Sequence, residues 1–333
     1  MRRSAATRTL LIAATFLTPQ GWTRSAETPG FEGRDARCLL VSSYHPGNEW
    51  GDGIAGGLKE ALGNRCVLRT FYMDSKRNRE PEAIAGAALQ ARDLIDQWKP
   101  DIVITSDDNA ARYLVMPWLR DVALPVVFCG INWTVEEYGF PYPNVTGMVE
   151  VAPVAPLLDL VRQLRPAAAA AMYIGADTFT EGKNLERTRE VAREKGFELN
   201  HALVSTTAQW IEAYQRAQDF DVVMLGNRSG IDDWDTEAIR EALLRDTRRI
   251  SVTNYRTMTP YAMIGYTKIP QEQGAWAGKL AVEILDGGDP SDYPIVANRQ
   301  WDIWINLRLL TVGHIHLPFR LIHKAKWVHK IGR

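Results

Sequence analysis

Chemically capable side chains are concentrated at residues 41–53, between a predicted strand and a predicted helix. Ser43, Tyr44, His45 and Trp50 supply a hydroxyl, a phenol, an imidazole and an indole there. Loop residues have no core to fill, and such groups hydrogen-bond to and stack on small polar molecules. The stretch is therefore predicted to contact a ligand, with an affinity that depends on pH because imidazole titrates near neutrality. The alternative is a surface loop with ordinary aromatic packing.

Three aspartates extend this polar set, since Asp74 ends the second predicted strand and Asp107 and Asp108 follow the third. Aspartate before a helix accepts hydrogen bonds from free backbone N–H groups, so one of Asp107 and Asp108 is expected to cap the next helix. The other is then available for an ammonium or hydroxyl group of a ligand. Paired carboxylates also perform acid–base catalysis, but no nucleophile or metal-ligand cluster accompanies them in the sequence. We therefore expect a binding protein without catalytic activity, metal or cofactor.

Further polar and aromatic residues stand where later predicted strands give way to loops. In a binding cleft such positions supply directed hydrogen bonds between aromatic walls, although asparagine and aspartate also favour plain turns. Trp301 and Trp304 are expected to pack in the core or at a hinge instead. The candidate ligand contacts at these strand ends are Asn132, Trp133, Asp177, Thr178, Asn227, Arg228, Asn254 and Tyr255.

A competing motif lies in the same early stretch. Gly51, Gly53 and Gly56 match the dinucleotide-binding pattern G-x-G-x-x-G, and Asp74 stands about where a ribose-binding acid is found. Taken literally, the pattern indicates an exported NAD-dependent oxidoreductase. However, the first glycine of such a site lies directly after the strand, so that the pyrophosphate reaches the helix N-terminus. Trp50 would crowd that approach, which disfavours this alternative.

The elements that must position these residues alternate between strand and helix. Short apolar runs without helical period indicate strands buried on both faces of a parallel sheet. Predicted strands lie at 38–41, 66–73, 101–105, 125–129, 145–149, 167–174, 197–204, 221–225, 249–253 and 296–305, and predicted helices at 81–98, 154–164, 183–195, 208–218 and 273–285. This alternation predicts two doubly wound α/β lobes with parallel sheets, a hinge, and a ligand cleft between the lobes.

The first residues of the chain and the net charge of the whole chain indicate where the protein acts and which partners it lacks. Residues 1–26 have the order of a secretory signal peptide cleaved near Ala26, with an apolar run too short to span a bilayer, so the mature protein is expected in the periplasm. The 333 residues carry a formal net charge of −1, which gives no electrostatic footprint for nucleic acid or an anionic membrane. The basic tail from His323 to Arg333 is too short to change this expectation.

The export signal places the three cysteines in an oxidising compartment. Cys38 and Cys66 open the first two predicted strands, which are commonly neighbours in a doubly wound sheet. Residues at matching positions on adjacent strands lie about 4.8 Å apart, near the range that a disulfide accepts. A Cys38–Cys66 disulfide is therefore predicted, with Cys129 free. The alternative is that both thiols are buried and unpaired.

The order of several segments resembles a known family. These segments are residues 42–47 with Trp50, 72–77, 105–110, 125–132, 144–147, 278–285 and 305–308. The family is the substrate-binding proteins of ABC transporters, of the type I periplasmic-binding fold, in the branch that also supplies extracytoplasmic sensor domains to histidine kinases. On this basis the first lobe is expected at residues 36–148 plus about 258–290, and the second at 149–257 plus about 291–333.

The resemblance implies a hinged monomer that closes on a small molecule and delivers it to a membrane ABC permease. The alternative within the family is a ligand-sensing partner of a membrane sensor kinase. Tyr44, His45 and Trp50 stand where transporter members usually have small polar residues, so the ligand class does not carry over. From the residues themselves we expect a small polar organic ligand, aromatic or amino-acid-like in part, and no nucleic acid partner.

Overall fold

The computed structural model describes residues 35–325 and 327–329, in which strands and helices alternate along the chain. The strands are β1 Ala36–Ser42, β2 Cys66–Tyr72, β3 Ile102–Ser106, β4 Val126–Asn132, β5 Val145–Glu150, β6 Ala170–Ala176, β7 Glu198–Val204, β8 Val222–Leu225, β9 Ile250–Thr253, β10 Ile264–Thr267, β11 Val296–Ala297, β12 Asp302–Asn306 and β13 Trp327–His329. The helices are α1 Glu49–Leu62, α2 Pro81–Trp98, α3 Asp108–Ala110, α4 Met116–Trp118, α5 Val154–Leu164, α6 Phe179–Glu194, α7 Thr207–Ala217, α8 Thr236–Asp246, α9 Pro270–Leu285, α10 Leu307–Val312 and α11 Phe319–Lys324. A π-helical turn, Ala111–Val115, joins α3 to α4.

The strands form two separate sheets. The first has the order β11-β5-β4-β3-β1-β2, and the second has the order β13-β12-β10-β9-β8-β6-β7. Neighbouring strands are parallel except β10 and β12, which are antiparallel. The prediction of two α/β lobes with parallel sheets is confirmed.

Strand β1 shows why its apolar run lacks helical period. Leu39 and Val41 pack into one core cluster of the first lobe, and Cys38 and Leu40 pack into another. Alternate side chains point to opposite faces of a strand, so both faces of this central strand are buried. The polar residues that follow β1 are therefore carried to the carboxyl edge of the sheet by a fully buried support.

The expected lobe boundaries need correction at two strands. Strand β10 pairs with β9 and β12 in the second sheet, although residues 258–290 are expected in the first lobe. The predicted strand 296–305 is two strands, of which β11 pairs with β5 in the first sheet and β12 lies in the second. Between β11 and β12 the backbone N–H groups of Arg299 and Gln300 donate to the Glu272 carboxylate and not to a neighbouring strand. Apolar alternation alone does not reveal which sheet accepts a strand.

Three crossings thus connect the lobes, after β5, after β10 and after β11. The second crossing returns the chain to the first lobe, where α9 packs against α1. A Cβ on Gly57 or Gly274 would collide with backbone atoms of the other helix, so the two helices meet backbone to backbone. This contact fixes the second crossing to the first lobe.

The structure joins Cys38 and Cys66 in a disulfide with a Cα–Cα distance of 5.9 Å, and Cys129 is free and buried. The cysteines are not at matching positions, since Cys66 pairs with Ala36 and Cys38 pairs with Leu68. An offset of two residues keeps both side chains on the same face of the sheet.

Residues 1–26, the predicted signal peptide, lie outside the described residues. Within the described ranges, no helix is both long and apolar enough to cross a membrane.

Candidate ligand-binding cleft

Ser43 lies at the carboxyl edge of the first sheet and is fully buried. Its hydroxyl donates to the carbonyl oxygen of Ser106 over 3.0 Å and accepts from the N–H of Ala110 over 3.0 Å. The predicted ligand contact is therefore used inside the protein, where it ties β1 to β3 and to the last residue of α3.

Asp107 is the centre of a charged cluster at the same edge. Both its carboxylate oxygens lie 2.7 Å from Lys76 Nζ, and the Tyr44 hydroxyl donates to Oδ2 over 3.1 Å. It also caps α3 by accepting from the N–H of Asn109, as expected for one of the two aspartates. Burial and the Asp107 charge hold the pKa of Tyr44 well above its usual value, so the phenol remains a donor.

The backbone at Asp107 adopts a positive φ of 79°. For a residue other than glycine such a conformation costs on the order of 1–3 kcal/mol, and it persists where surrounding contacts over-determine it. Here the contacts to Lys76, Tyr44 and Asn109 supply that constraint. These contacts within the protein therefore organise the cluster.

Asp108 has a different role from Asp107. Its carboxylate accepts from the Tyr138 hydroxyl over 2.7 Å and from Asn132 Nδ2 over 2.6 Å. Asn132 is exposed at the end of β4, so Asp108 orients its side-chain amide at the edge of the sheet. The structure thus brings both residues to the predicted edge, with Asp108 acting on Asn132.

Asp74 and His45 lie beside each other at the rim. The Arg77 guanidinium forms two hydrogen bonds with the Asp74 carboxylate, of 2.8 and 2.6 Å, and these lower the pKa of that carboxyl. His45 Nδ1 lies 3.7 Å from Asp74 Oδ1, which is too long for a hydrogen bond. Asp74 is therefore occupied by a neighbour on its own loop, whereas the imidazole is not.

A second ion pair lies where the crossings leave the two sheets. The carboxylate of Glu150, at the end of β5, pairs with Lys268, which follows β10. Burial raises the pKa of Glu150, and the Lys268 ammonium opposes that shift. Lys268 Nζ also lies 5.4 Å from the ring centre of Trp50, within the range of a cation–π contact. Trp50 is thus placed beside the hinge.

Two contacts show that the carboxyl edges of the sheets face each other. Trp133 follows β4 in the first lobe, yet its ring packs against the core cluster of the second lobe. Arg256, which follows β9 in the second lobe, forms an ion pair with Glu49 at the start of α1. The loops of both lobes meet at these contacts, and the candidate cleft is assigned to this boundary.

In the second lobe the edge is organised by Glu181, a residue in the first turn of α6 that is 2% exposed. Its Oε1 accepts from the Tyr173 hydroxyl over 2.6 Å and from the N–H of Asn227 over 2.7 Å, and its Oε2 accepts from the Tyr255 hydroxyl over 3.4 Å. Burial raises the pKa of this carboxyl, although these hydrogen bonds oppose the shift. One side chain therefore connects strand β6 to the loops that follow β8 and β9.

The predicted second-lobe residues occupy the edge that Glu181 supports. Thr178 caps α6 by accepting from the N–H of Glu181, and the Asn227 side chain accepts from the N–H of Ser229. The remaining predicted positions are Asp177, which is exposed, and Arg228, Asn254 and Tyr255, which are half-buried.

A sequence profile of the family described as ABC transporter substrate binding protein matches residues 42–329. This match covers most of the chain. The chain belongs to the ABC transporter substrate-binding protein family. The resemblance seen in the order of segments is thereby confirmed.

Solved structures of other substrate-binding proteins share the fold. An ABC domain from Streptococcus pneumonia in complex with L-Trp is 16% identical with a TM-score of 0.58, over 89% of this chain and 100% of that one. A ligand-free, open substrate-binding protein with adhesive properties from Clostridium difficile is 14% identical with a TM-score of 0.69, over 88% and 99%. A solute-binding protein from Rhodopseudomonas palustris in complex with 3,4-dihydroxy benzoic acid is 11% identical with a TM-score of 0.54, over 78% and 83%. No curated protein sequence matches the chain.

In this substrate-binding protein, unsatisfied polar atoms collect at the two facing edges. Among the described residues, the buried side-chain atoms without a hydrogen-bond partner are His45 Nδ1, Ser106 Oγ and Arg228 Nε. His45 follows β1, Ser106 ends β3 and Arg228 follows β8, so each lies at the carboxyl edge of its sheet. A buried polar atom left unpaired costs about 1–3 kcal/mol, so these three positions are candidates for contact with a bound molecule.

The glycine motif has a packing role in this substrate-binding protein. Gly51, Gly53 and Gly56 lie within α1 and not in the turn between strand and helix. A Cβ on Gly51 would lie 2.9 Å from Cβ of Tyr44, and one on Gly53 would lie 2.6 Å from Pro270. The pattern therefore does not form the phosphate-binding turn that a dinucleotide site requires.

The residue-by-residue prediction missed Lys76, Lys268, Glu150, Ser106 and Glu181. The pattern Thr178-x-x-Glu181 is a capping-box signature and could have drawn attention to Glu181. The two lysines carry no comparable local signal, because their partners lie far away in the sequence.

Proposed function

We propose that the protein is a periplasmic solute-binding protein that captures a small polar organic molecule between its lobes and delivers it to a membrane ABC permease. The observation that carries the proposal is the placement of the orphan atoms of His45, Ser106 and Arg228 at facing edges of both lobes. A molecule held between the edges satisfies groups from both lobes at once. Family membership supports the same role.

The available donors and rings indicate the ligand's chemistry. The guanidinium group of arginine has donors and no acceptor. Arg228 Nε therefore requires an acceptor such as a carboxylate or carbonyl oxygen. Tyr44, Trp50 and Trp133 supply aromatic walls, which favour a planar or aromatic part. L-Trp and 3,4-dihydroxy benzoic acid, the ligands of two proteins with this fold, each combine a ring with a carboxyl group. We expect a ligand of this amphipathic kind.

The proposed mechanism is closure about the three crossings. A ligand that contacts both edges only when the lobes are close shifts the population toward the closed state. The Glu150–Lys268 pair joins two of the crossings, so their relative position is maintained while the lobes move. The Glu49–Arg256 pair also connects the lobes directly.

A thermal-shift screen of amino acids, aromatic acids, nucleobases and sugars tests the proposal, because a ligand of the folded state raises the melting temperature. NAD in the same screen tests the oxidoreductase alternative. Arg228→Gln is expected to weaken binding of the hit roughly tenfold or more, the effect of losing a charge-assisted hydrogen bond. The proposal fails if no member of these classes stabilises the protein, or if NAD alone does so.

Delivery is tested separately with the permease reconstituted in vesicles. The loaded protein is expected to stimulate the ATPase, whereas Arg228→Gln at the same ligand concentration stimulates it less. If the loaded protein activates a sensor kinase and leaves the ATPase activity unchanged, the partner is the kinase and not the permease.

A further inference from the structure

Charge is distributed very unevenly along the chain. The last acidic residue is Asp302, so residues 303–333 contain none of the 40 Asp and Glu residues and six of the 39 Lys and Arg residues. The rest of the protein is correspondingly acidic. The overall net charge of −1 therefore conceals a strongly basic C-terminal segment.

Helix α11 presents part of this segment at the surface of the second lobe. Arg320, His323 and Lys324 are exposed on it. Phe319 is 79% exposed, the highest value among the large hydrophobic side chains that are exposed in the described ranges. In the same ranges neither Arg320 nor Lys324 has a carboxylate partner within ion-pair distance. An apolar side chain and unpaired cations thus share one face.

This face borders a groove of about 460 Å³ between α5, the start of β12 and α11. Arg320 and Lys324 line it together with the apolar side chains of Leu160, Trp301 and Leu321. Asp159 also lines the groove, and its carboxylate is paired with Lys195. Cations beside an apolar groove match an amphiphile, whose charged head group and hydrocarbon part meet the two kinds of side chain. The sugar–phosphate surface of a nucleic-acid duplex would leave the exposed Phe319 ring without an apolar partner.

We propose that the α11 face, defined by Phe319, Arg320, His323 and Lys324, binds the surface of an anionic lipid membrane. Lys and Arg near such a surface attract anionic head groups, and an aromatic ring enters the interface between head groups and acyl chains. This assignment revises the expectation drawn from net charge, because the local and not the total charge determines adsorption. Adsorption would keep the protein in the plane of the membrane.

Vesicle co-sedimentation tests the proposal with protein purified from the exported fraction, so that residues 1–26 do not contribute. The wild type is expected to sediment with phosphatidylcholine vesicles containing about 30% phosphatidylglycerol, to remain in solution with phosphatidylcholine alone, and to be released at about 0.5 M salt. Because each cation near the surface contributes roughly a fivefold change in partitioning, Arg320→Gln with Lys324→Gln should weaken sedimentation about 25-fold. Phe319→Ser should weaken it about tenfold.

The matched control is Arg193→Gln with Arg216→Gln, which removes the same charge from exposed positions on α6 and α7. Its sedimentation should stay within about twofold of the wild type. The proposal is overturned if the wild type does not sediment with anionic vesicles, or if the control pair loses as much as the α11 pair. Circular dichroism of each variant shows that the fold is retained.

Discussion

The Lys76–Asp107 pair leads to a prediction about which partner is more costly to remove. The Asp107 side chain is 1% exposed, whereas that of Lys76 is 37% exposed. Lys76→Gln leaves a carboxylate buried with only Tyr44 and the N–H of Asn109 as donors, whereas Asp107→Asn leaves an ammonium that returns to water. Lys76→Gln should therefore destabilise the protein more than Asp107→Asn does.

The expected magnitudes follow from the exposure of the two groups. Removing one member of a fully buried pair costs about 3–5 kcal/mol, and partial exposure of Lys76 reduces this to roughly 2–3 kcal/mol for Lys76→Gln. Asp107→Asn should cost about 1 kcal/mol, since asparagine tolerates the positive φ and still caps α3. For a chain of this size the difference is a few degrees in melting temperature.

Thermal unfolding by circular dichroism, without ligand and at neutral pH, measures both variants and the double variant. The double variant should be more stable than Lys76→Gln alone, because the second change removes the uncompensated charge. Equal effects of the single variants, or a greater loss for Asp107→Asn, would refute the reasoning that burial of the carboxylate determines the cost.

Three further predictions concern the cleft and the disulfide. Trp50→Ala should weaken ligand binding by about tenfold with the fold retained, since a stacked aromatic contributes on the order of 1 kcal/mol beyond its buried area; unchanged affinity with a lower melting temperature would assign Trp50 to packing. Saturating ligand should make the protein more compact in small-angle scattering, and identical curves with and without ligand would contradict closure. Mass spectrometry of protein that is unfolded without reductant and then alkylated should find one label, at Cys129; three labels would exclude the Cys38–Cys66 disulfide.

The carboxyl-edge positions were predictable because their signal is local. A strand buried on both faces is recognisable in the sequence as an apolar run, and the polar residues directly after it lie at the edge of the sheet. Tyr44, Asp107 and Asn132 were found in this way. The same logic cannot say what each side chain binds, and so Ser43 and Asp108, predicted as ligand contacts, hold other parts of the protein in place.

The partners that complete the cleft depend on contacts between distant segments. Lys76 lies 31 residues before Asp107, and Lys268 lies 118 residues after Glu150, so no short pattern connects either pair. Strand β10 has four residues, with a glycine second, and receives its support from β9 and β12. Such an element is specified by its neighbours in the sheet more than by its own residues.

In the candidate cleft, the residues that hold the loops in place differ from the residues that have unused hydrogen-bonding atoms. Asp107, Asp108 and Glu181 hold the loops that they connect through hydrogen bonds to other groups of the protein. His45 and Arg228 retain unused capacity, and they lie in different lobes. A molecule that satisfies only one of them gains nothing from closure, whereas a molecule that reaches both is bound more tightly in the closed state. In the proposed mechanism, selectivity for the ligand and the drive toward closure therefore have the same physical origin.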